Sequence, residues 1–127
     1  MSLTRIPLPI TAVDVAEKFT HVTTTWSPKI VAQTNGWEIK LVQAHGEFVW
    51  HHHEVDEVFY VFAGELTIQL PDDQSVTLHP GQLYVVPRGV EHRPSSSAGC
   101  QLLLFEPPGV TNTGQTGGRM TAVDTWI

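Results

Sequence analysis

From Lys29 onward, turn residues recur every eight to twelve positions, a spacing that leaves room for short strands but not for helices of ordinary length. Ile30-Val31-Ala32-Gln33 runs into Asn35-Gly36, a pair that favours a two-residue hairpin turn. Trp37, Ile39 and Leu41 then alternate with Glu38 and Lys40, the pattern of a half-buried strand with apolar and charged faces. Val58 to Phe62 is almost wholly aromatic or β-branched, and Ala63-Gly64-Glu65 turns the chain. Leu66, Ile68 and Leu70 alternate with Thr67 and Gln69, and Pro71 to Gln74 turns it again. Val76 and Leu78 alternate with Ser75 and Thr77, Pro80-Gly81 breaks the run, Leu83 to Val86 resumes it, and Pro87-Arg88-Gly89 ends it. Ser95 to Gly99 reads as a loose polar segment and Gln101 to Phe105 as the last clear strand. Seven or eight short strands imply an all-β sandwich or barrel rather than βαβ units.

The flanks are different. Pro7 and Pro9 keep the first ten residues extended. Thr11 to Asp14 reads as a helix start, giving one short helix over about residues 12–19 that must dock to be stable. Pro107 to Gly118 is rich in Pro, Gly, Thr and Asn and reads as loop, yet the chain ends on Trp126-Ile127. The expected organisation is a single domain: an N-terminal extension over 1–28, a barrel over 29–106, and a tail over 107–127 that packs on the barrel or on a partner subunit. A net charge of −6 and the lack of any Lys/Arg run speak against a nucleic-acid partner. No apolar leader or bilayer-length segment is visible, so no membrane is expected. The one cysteine, Cys100, lies among apolar residues and reads as a buried thiol, which fits a reducing cytoplasm.

The chemistry lies in Trp50-His51-His52-His53-Glu54-Val55-Asp56-Glu57. Residues 51, 53 and 57 share parity, so an extended backbone turns all three to one face, with the two histidines roughly 7 Å apart along the strand. Imidazole and carboxylate donors suit a divalent transition metal. His52 has the opposite parity and points away. His92 follows in Pro87-Arg88-Gly89-Val90-Glu91-His92 and completes a four-ligand set. On a six-coordinate ion two positions would stay open. His21, His45 and His79 have no partner at ligand spacing and read as surface residues.

His51-x-His53-(x)3-Glu57-(x)6-Gly64 resembles the first motif of the cupin superfamily. Gly81-(x)5-Pro87-x-Gly89-(x)2-His92 is similar to its second. Sixteen residues separate Gly64 from Gly81, as in small single-domain microbial cupins of type 2. Two positions depart from the pattern. Four residues rather than the usual five lie between Gly46 and His51, and Ser96 stands where the second motif ends in Asn. The resemblance implies a double-stranded β-helix, or jelly-roll, barrel with a short N-terminal helix. It also implies one metal ion (Fe, Mn, Ni or Zn) held by His51, His53, Glu57 and His92, and a homodimer. Gly64 and Gly89 are expected at turns with unusual backbone angles.

Glu106 to Gly114 is similar to the tail of small cupins named as sugar-phosphate-isomerase-like. Gln43, Phe59, Tyr84 and Phe105 are possible pocket liners, Phe48 and Trp50 read as core, and Arg88 reads as exposed. Three functions are compatible with these residues. The first is a metal-dependent enzyme, a dioxygenase or isomerase, acting on a small oxygen-rich substrate that chelates the ion. The second is a small-molecule-binding or sensor barrel without turnover. The third is a barrel in which the metal is purely structural.

Overall fold

The structure, a computed structural model, describes residues 10–127, so the extended run expected around Pro7 and Pro9 lies outside the described residues. One helix, α1 (Val15–Phe19), precedes eight strands: β1 (Lys29–Thr34), β2 (Trp37–Glu47), β3 (Glu57–Gly64), β4 (Leu66–Gln69), β5 (Ser75–Leu78), β6 (Leu83–Val86), β7 (Arg93–Glu106) and β8 (Thr125–Trp126). The architecture is an all-β jelly roll. Its hydrogen-bonded sheet follows the path β5-β4-β7-β2-β1-β8, with β3 pairing β6 and β7, and does not close on itself.

The helix is shorter than expected. Asp14 has an extended backbone, and its Oδ1 accepts the Glu17 N–H at 3.1 Å, so the helix starts only at Val15 and residues 12–14 stay outside it. Phe19 fixes it to the sheet by stacking on Phe62 with ring centres 5.7 Å apart. Asn35 and Gly36 close the β1–β2 hairpin with φ of 49° and 76°, the left-handed pair that a tight primed turn requires.

β7 organises the sheet. One edge runs antiparallel to β2 from Glu38↔Glu106 to Glu47↔Ser95. The other edge is shared, pairing β4 through Arg93 to Ser95 and β3 through Cys100 to Phe105. The polar segment Ser95 to Gly99 is therefore strand, not loop. Its backbone pairs with β2 at Ser95 and Ser96 and with β4 at Ser95, and the Ser96 hydroxyl donates to the Glu65 carbonyl at 2.7 Å. Where β7 changes partner, Gly64 pairs with Cys100 and lies tightly against Gly99. A Cβ on Gly64 would lie 2.5 Å from the Gly99 carbonyl oxygen.

Burial in β2 corrects the simple two-face reading. Leu41 is buried, but so are Glu38 and Lys40, and Trp37 is exposed. Both faces of β2 are covered. Leu41 joins Phe19, Val22 and Val31 in a small cluster under α1. Val42 and Ala44, on the face of Lys40, enter the main core with Phe59, Val61, Ile68 and Leu102. After Glu106 the chain forms turns until Thr125–Trp126 pairs in parallel with Lys29–Ile30. Among the described residues, no helix is long and apolar enough to cross a membrane.

The close approach at Gly64 gives a stability test. Gly64→Ala adds a backbone clash to a φ of +83°, with an expected cost of about 3 kcal/mol. Gly36→Ala has a similar φ and open space, with an expected cost of about 1 kcal/mol. Equal urea midpoints for the two variants would refute the close approach.

Candidate metal centre

The backbone brings the two motifs together before any side chain is considered. His51 and His92 form an isolated antiparallel bridge, with N–H···O distances of 3.0 Å and 2.9 Å in the two directions. The intervening bend is tied down as well. Gly89 N–H donates to the His53 carbonyl at 2.8 Å, and Arg88 N–H donates to Asp56 Oδ1 at 2.8 Å. Residues 52–56 leave the sheet and Glu57 opens β3, so the three motif residues do not lie along one continuous strand. They converge because the chain bends between them.

His51, His53, Glu57 and His92 are all buried, and each offers a donor atom within 4.8 Å of the others. His51 and His92 share one device. Nδ1 of each lies 2.9 Å from a backbone carbonyl two residues earlier, Val49 or Val90. A carbonyl only accepts, so Nδ1 carries the proton and Nε2 keeps its lone pair. The His92 Nε2 lies 3.3 Å from Glu57 Oε1, and the His53 Nε2 lies 3.4 Å from Glu57 Oε2. The buried His53 Nε2 has no hydrogen-bond partner. Three imidazole lone pairs and a carboxylate facing one point, one of them orphaned, fit a divalent ion better than a closed hydrogen-bond network. His52 is turned out to solvent, with Nδ1 2.8 Å from Glu91 Oε1.

Burial, and secondarily the neighbouring His92, pushes His51 down to about 4. Burial followed by His51 and His92 pushes His53 down to about 3. His92 is lowered chiefly by burial, and burial raises Glu57. The rings are therefore neutral near pH 7 and present lone pairs.

A second buried group adjoins the cluster. Lys40 is fully buried, with Nζ 2.8 Å from Glu106 Oε1, 2.5 Å from Asp124 Oδ2 and 3.8 Å from Glu38 Oε1. Burial pulls its pKa down, but Glu106 and Asp124 more than offset this and leave it raised and charged. Glu106 is raised well above the usual carboxylate range by burial and then by the neighbouring Glu57. The two carboxyls are neighbours, and the buried Glu106 Oε2 has no hydrogen-bond partner.

A small cavity of about 30 Å³ opens beside His51, Glu57 and Glu106. Trp26, Phe48, Phe59, Leu102 and Leu104 form most of its wall, and Asn112 reaches it from the tail. Of the residues considered as liners from the sequence, Phe59 lines it and Gln43, Tyr84 and Phe105 do not; Phe48, read as core, is buried and lines it too. Gln43 instead donates to the Cys100 carbonyl at 3.0 Å. Trp50, read as core from the sequence, is instead exposed, and Arg88 is exposed as expected. Sequence reasoning missed Trp26, Lys40, Glu106, Asn112 and Asp124. Glu106 shares parity with Leu102 and Leu104, and Lys40 with Val42 and Ala44, which was the available signal.

A family model described as Cupin domain (Cupin_2) matches residues 39–105, and the chain belongs to that family. It is 34% identical over 67 residues to the Bacillus subtilis protein YdbB, spanning 52% of this chain and 59% of that protein. It is 43% identical, with a TM-score of 0.73, to a cupin-2 domain protein from Shewanella frigidimarina, covering 75% of this chain and 93% of that one. A hydroquinone 1,2-dioxygenase from Sphingomonas sp. TTNP3 matches at 18% identity and a TM-score of 0.70, over 84% of this chain and 34% of that one, a likeness of fold alone.

The buried histidines make a titration prediction. Taken alone, His51 and His53 bind fewer protons folded than unfolded. Their contribution to stability is complete above an unfolded pKa near 6.5 and is lost as pH falls toward 4 and 3. The raised carboxyls of Glu57 and Glu106 act in the opposite sense, so the direct measurement is NMR of the rings. In metal-free protein at about pH 5.5, His51 and His53 should still give neutral-imidazole signals. Imidazolium signals from both at that pH would refute the assignment.

Proposed function

We propose that this chain is a metal-dependent enzyme in which His51, His53, Glu57 and His92 hold one divalent transition-metal ion next to a substrate cavity. One observation carries the reading: four buried donor atoms lie within 4.8 Å of one another beside that cavity, and His53 Nε2 is otherwise unsatisfied. Iron, manganese, nickel and zinc all suit three imidazoles and a carboxylate. When bound, the ion supplies Lewis acidity toward a chelating oxygen or, if it is iron, access to oxygen chemistry.

The chain's own residues do the rest. The Val49 and Val90 carbonyls hold the His51 and His92 rings in the tautomer that leaves Nε2 free. The wall formed by Trp26, Phe48, Phe59 and Leu104 excludes water from the reacting oxygen atoms. Glu57 and Glu106 can hold a proton between them, and Lys40 fixes the outer oxygen of Glu106. An apolar cavity beside such a donor set supports an oxidoreductase of the dioxygenase type acting on a small chelating substrate. The Glu57–Glu106 pair favours a second reading, an isomerase that moves a proton within the substrate.

Protein reconstituted with each of the four metals should bind one ion per chain, measured by elemental analysis after gel filtration. His53→Ala and Glu57→Gln should each weaken binding by more than about tenfold. Failure of all four metals to bind stoichiometrically would overturn the metal reading. With metal bound, oxygen uptake over a panel of chelating compounds identifies the oxygenase. Solvent-deuterium incorporation without oxygen uptake identifies the isomerase, and ligand binding with neither identifies a sensor.

A further inference from the structure

Trp26 lines two separate spaces. On its inner side it walls the cavity of about 30 Å³ at His51 and Glu57, which has room for about two waters and for nothing as large as a chelating organic substrate. On its outer side it joins Thr24, Thr25, Ser27, Met120 and Ala122 around a surface cleft of about 270 Å³, close to the size of a small ligand site. No other residue lines both. The indole therefore stands between the cleft and the buried histidines.

The backbone of Trp26 is out of the ordinary. Its φ of 55° is a left-handed conformation that a bulky residue seldom adopts and keeps only when its surroundings impose it. Three hydrogen bonds impose it here. The Trp26 backbone N–H donates to the Gln43 carbonyl, and the indole N–H donates to the His45 carbonyl, each at 2.9 Å. The third comes from the tail, where the Asn112 amide donates to the Trp26 carbonyl at 3.1 Å. The same amide donates to the Met120 carbonyl at 2.9 Å, and its oxygen accepts the Ala122 N–H at 2.9 Å. One side chain thus ties the strained residue to the far wall of the cleft. Gly117 and Gly118, with open space around each, precede that wall and give it freedom to move. Inward, the indole rests on Phe48 at 4.8 Å, and Phe48 meets His51 edge-on at 5.3 Å. Displacing the indole outward uncovers the way to His51.

We infer that Trp26 is a gate, and so a specificity-determining residue, for the metal centre. With Asn112 latched, the indole confines the cavity to water-sized molecules. A chelating substrate enters from the cleft when the latch opens and the indole swings outward. This rests on the proposed reading of the four-ligand cluster as a metal site. Relief of the left-handed backbone favours opening, and the three Asn112 hydrogen bonds favour closure, so the two arrangements are balanced against each other. A ligand larger than the cavity must wait for opening, which makes Trp26 select by size through the rate of entry.

The test follows catechol, a chelating probe too large for the cavity, binding to iron(III)-loaded protein by stopped-flow absorbance. In the wild type the observed rate should level off as catechol rises, because opening becomes limiting. Trp26→Ala and Asn112→Ala should each raise that limit at least about tenfold and leave the iron affinity unchanged. A wild-type rate that never levels off, or an unchanged limit in both variants, overturns the inference. Metal-free protein carrying fluorotryptophan gives a second readout, with the Trp26 fluorine resonance assigned by its loss on substitution. The solvent-isotope shift of that resonance should be near zero in the wild type and should rise in Asn112→Ala. An unchanged shift in folded Asn112→Ala overturns the latch whether or not metal binds. If iron does not bind, the metal reading fails and the fluorine comparison still decides the gate. Should either alanine variant not fold, Trp26→Phe or Asn112→Asp, which keeps the acceptor for the Ala122 N–H, takes its place.

Discussion

The close approach of Gly64 to Gly99 is the constraint on which the rest of the molecule depends. Strand β7 serves β3 with its second half and β4 with its first because the chain leaving β3 continues along the same edge, passing Gly99 and Cys100 at contact distance. No side chain fits between the Gly64 α-carbon and the Gly99 carbonyl. That close passage lets one fourteen-residue strand hold two arms, β3 with β6 and β4 with β5. The β3–β6 arm carries Glu57 at its start, and the connection after β6 carries His92.

The site then follows from economical backbone chemistry. One two-hydrogen-bond bridge sets His51 against His92, and a carbonyl two residues before each histidine fixes its ring. Burial does most of the electrostatic work, and the neighbouring histidines add to it, keeping the imidazoles uncharged. The same burial makes the adjoining Lys40 group demanding. A buried cation is stable only when its partners are complete. Here one partner, Asp124, comes from the tail and another, Glu106, from the end of β7. The tail is therefore bound to the interior by charge as well as by its short pairing with β1. Asn112 adds three hydrogen bonds, two donated by its amide and one accepted from the Ala122 N–H at 2.9 Å.

Much of this was legible from local chemistry. Asn35-Gly36 specified its hairpin because few other pairs tolerate two left-handed residues in succession. The runs around Phe59, Ile68 and Val76 announced strands through period-two alternation. Histidine and glutamate at cupin spacing singled out the four residues that the structure brings together. The failures have physical causes too. Ser95 to Gly99 looked loose because polar residues are common in loops, yet it begins by pairing across the sheet at Ser95 and Ser96, where composition leaves no trace. Glu38 and Lys40 looked solvent-facing because charge is usually outside, a preference that pairing overrode.

The sequence by itself determined what each short stretch can do: where the chain turns, which runs extend, and which side chains carry lone pairs suited to a metal. These are properties of neighbouring residues and backbone angles, so they survive without a fold. Only the tertiary structure decided which distant groups share an interior. Trp26 and Asn112 meet at one cavity, Lys40 finds Glu106 and Asp124, and Glu106 comes to rest beside Glu57. Those pairings span dozens of residues. They exist because desolvation leaves a buried charge stable only where a partner is within reach, and strand order decides which partners are.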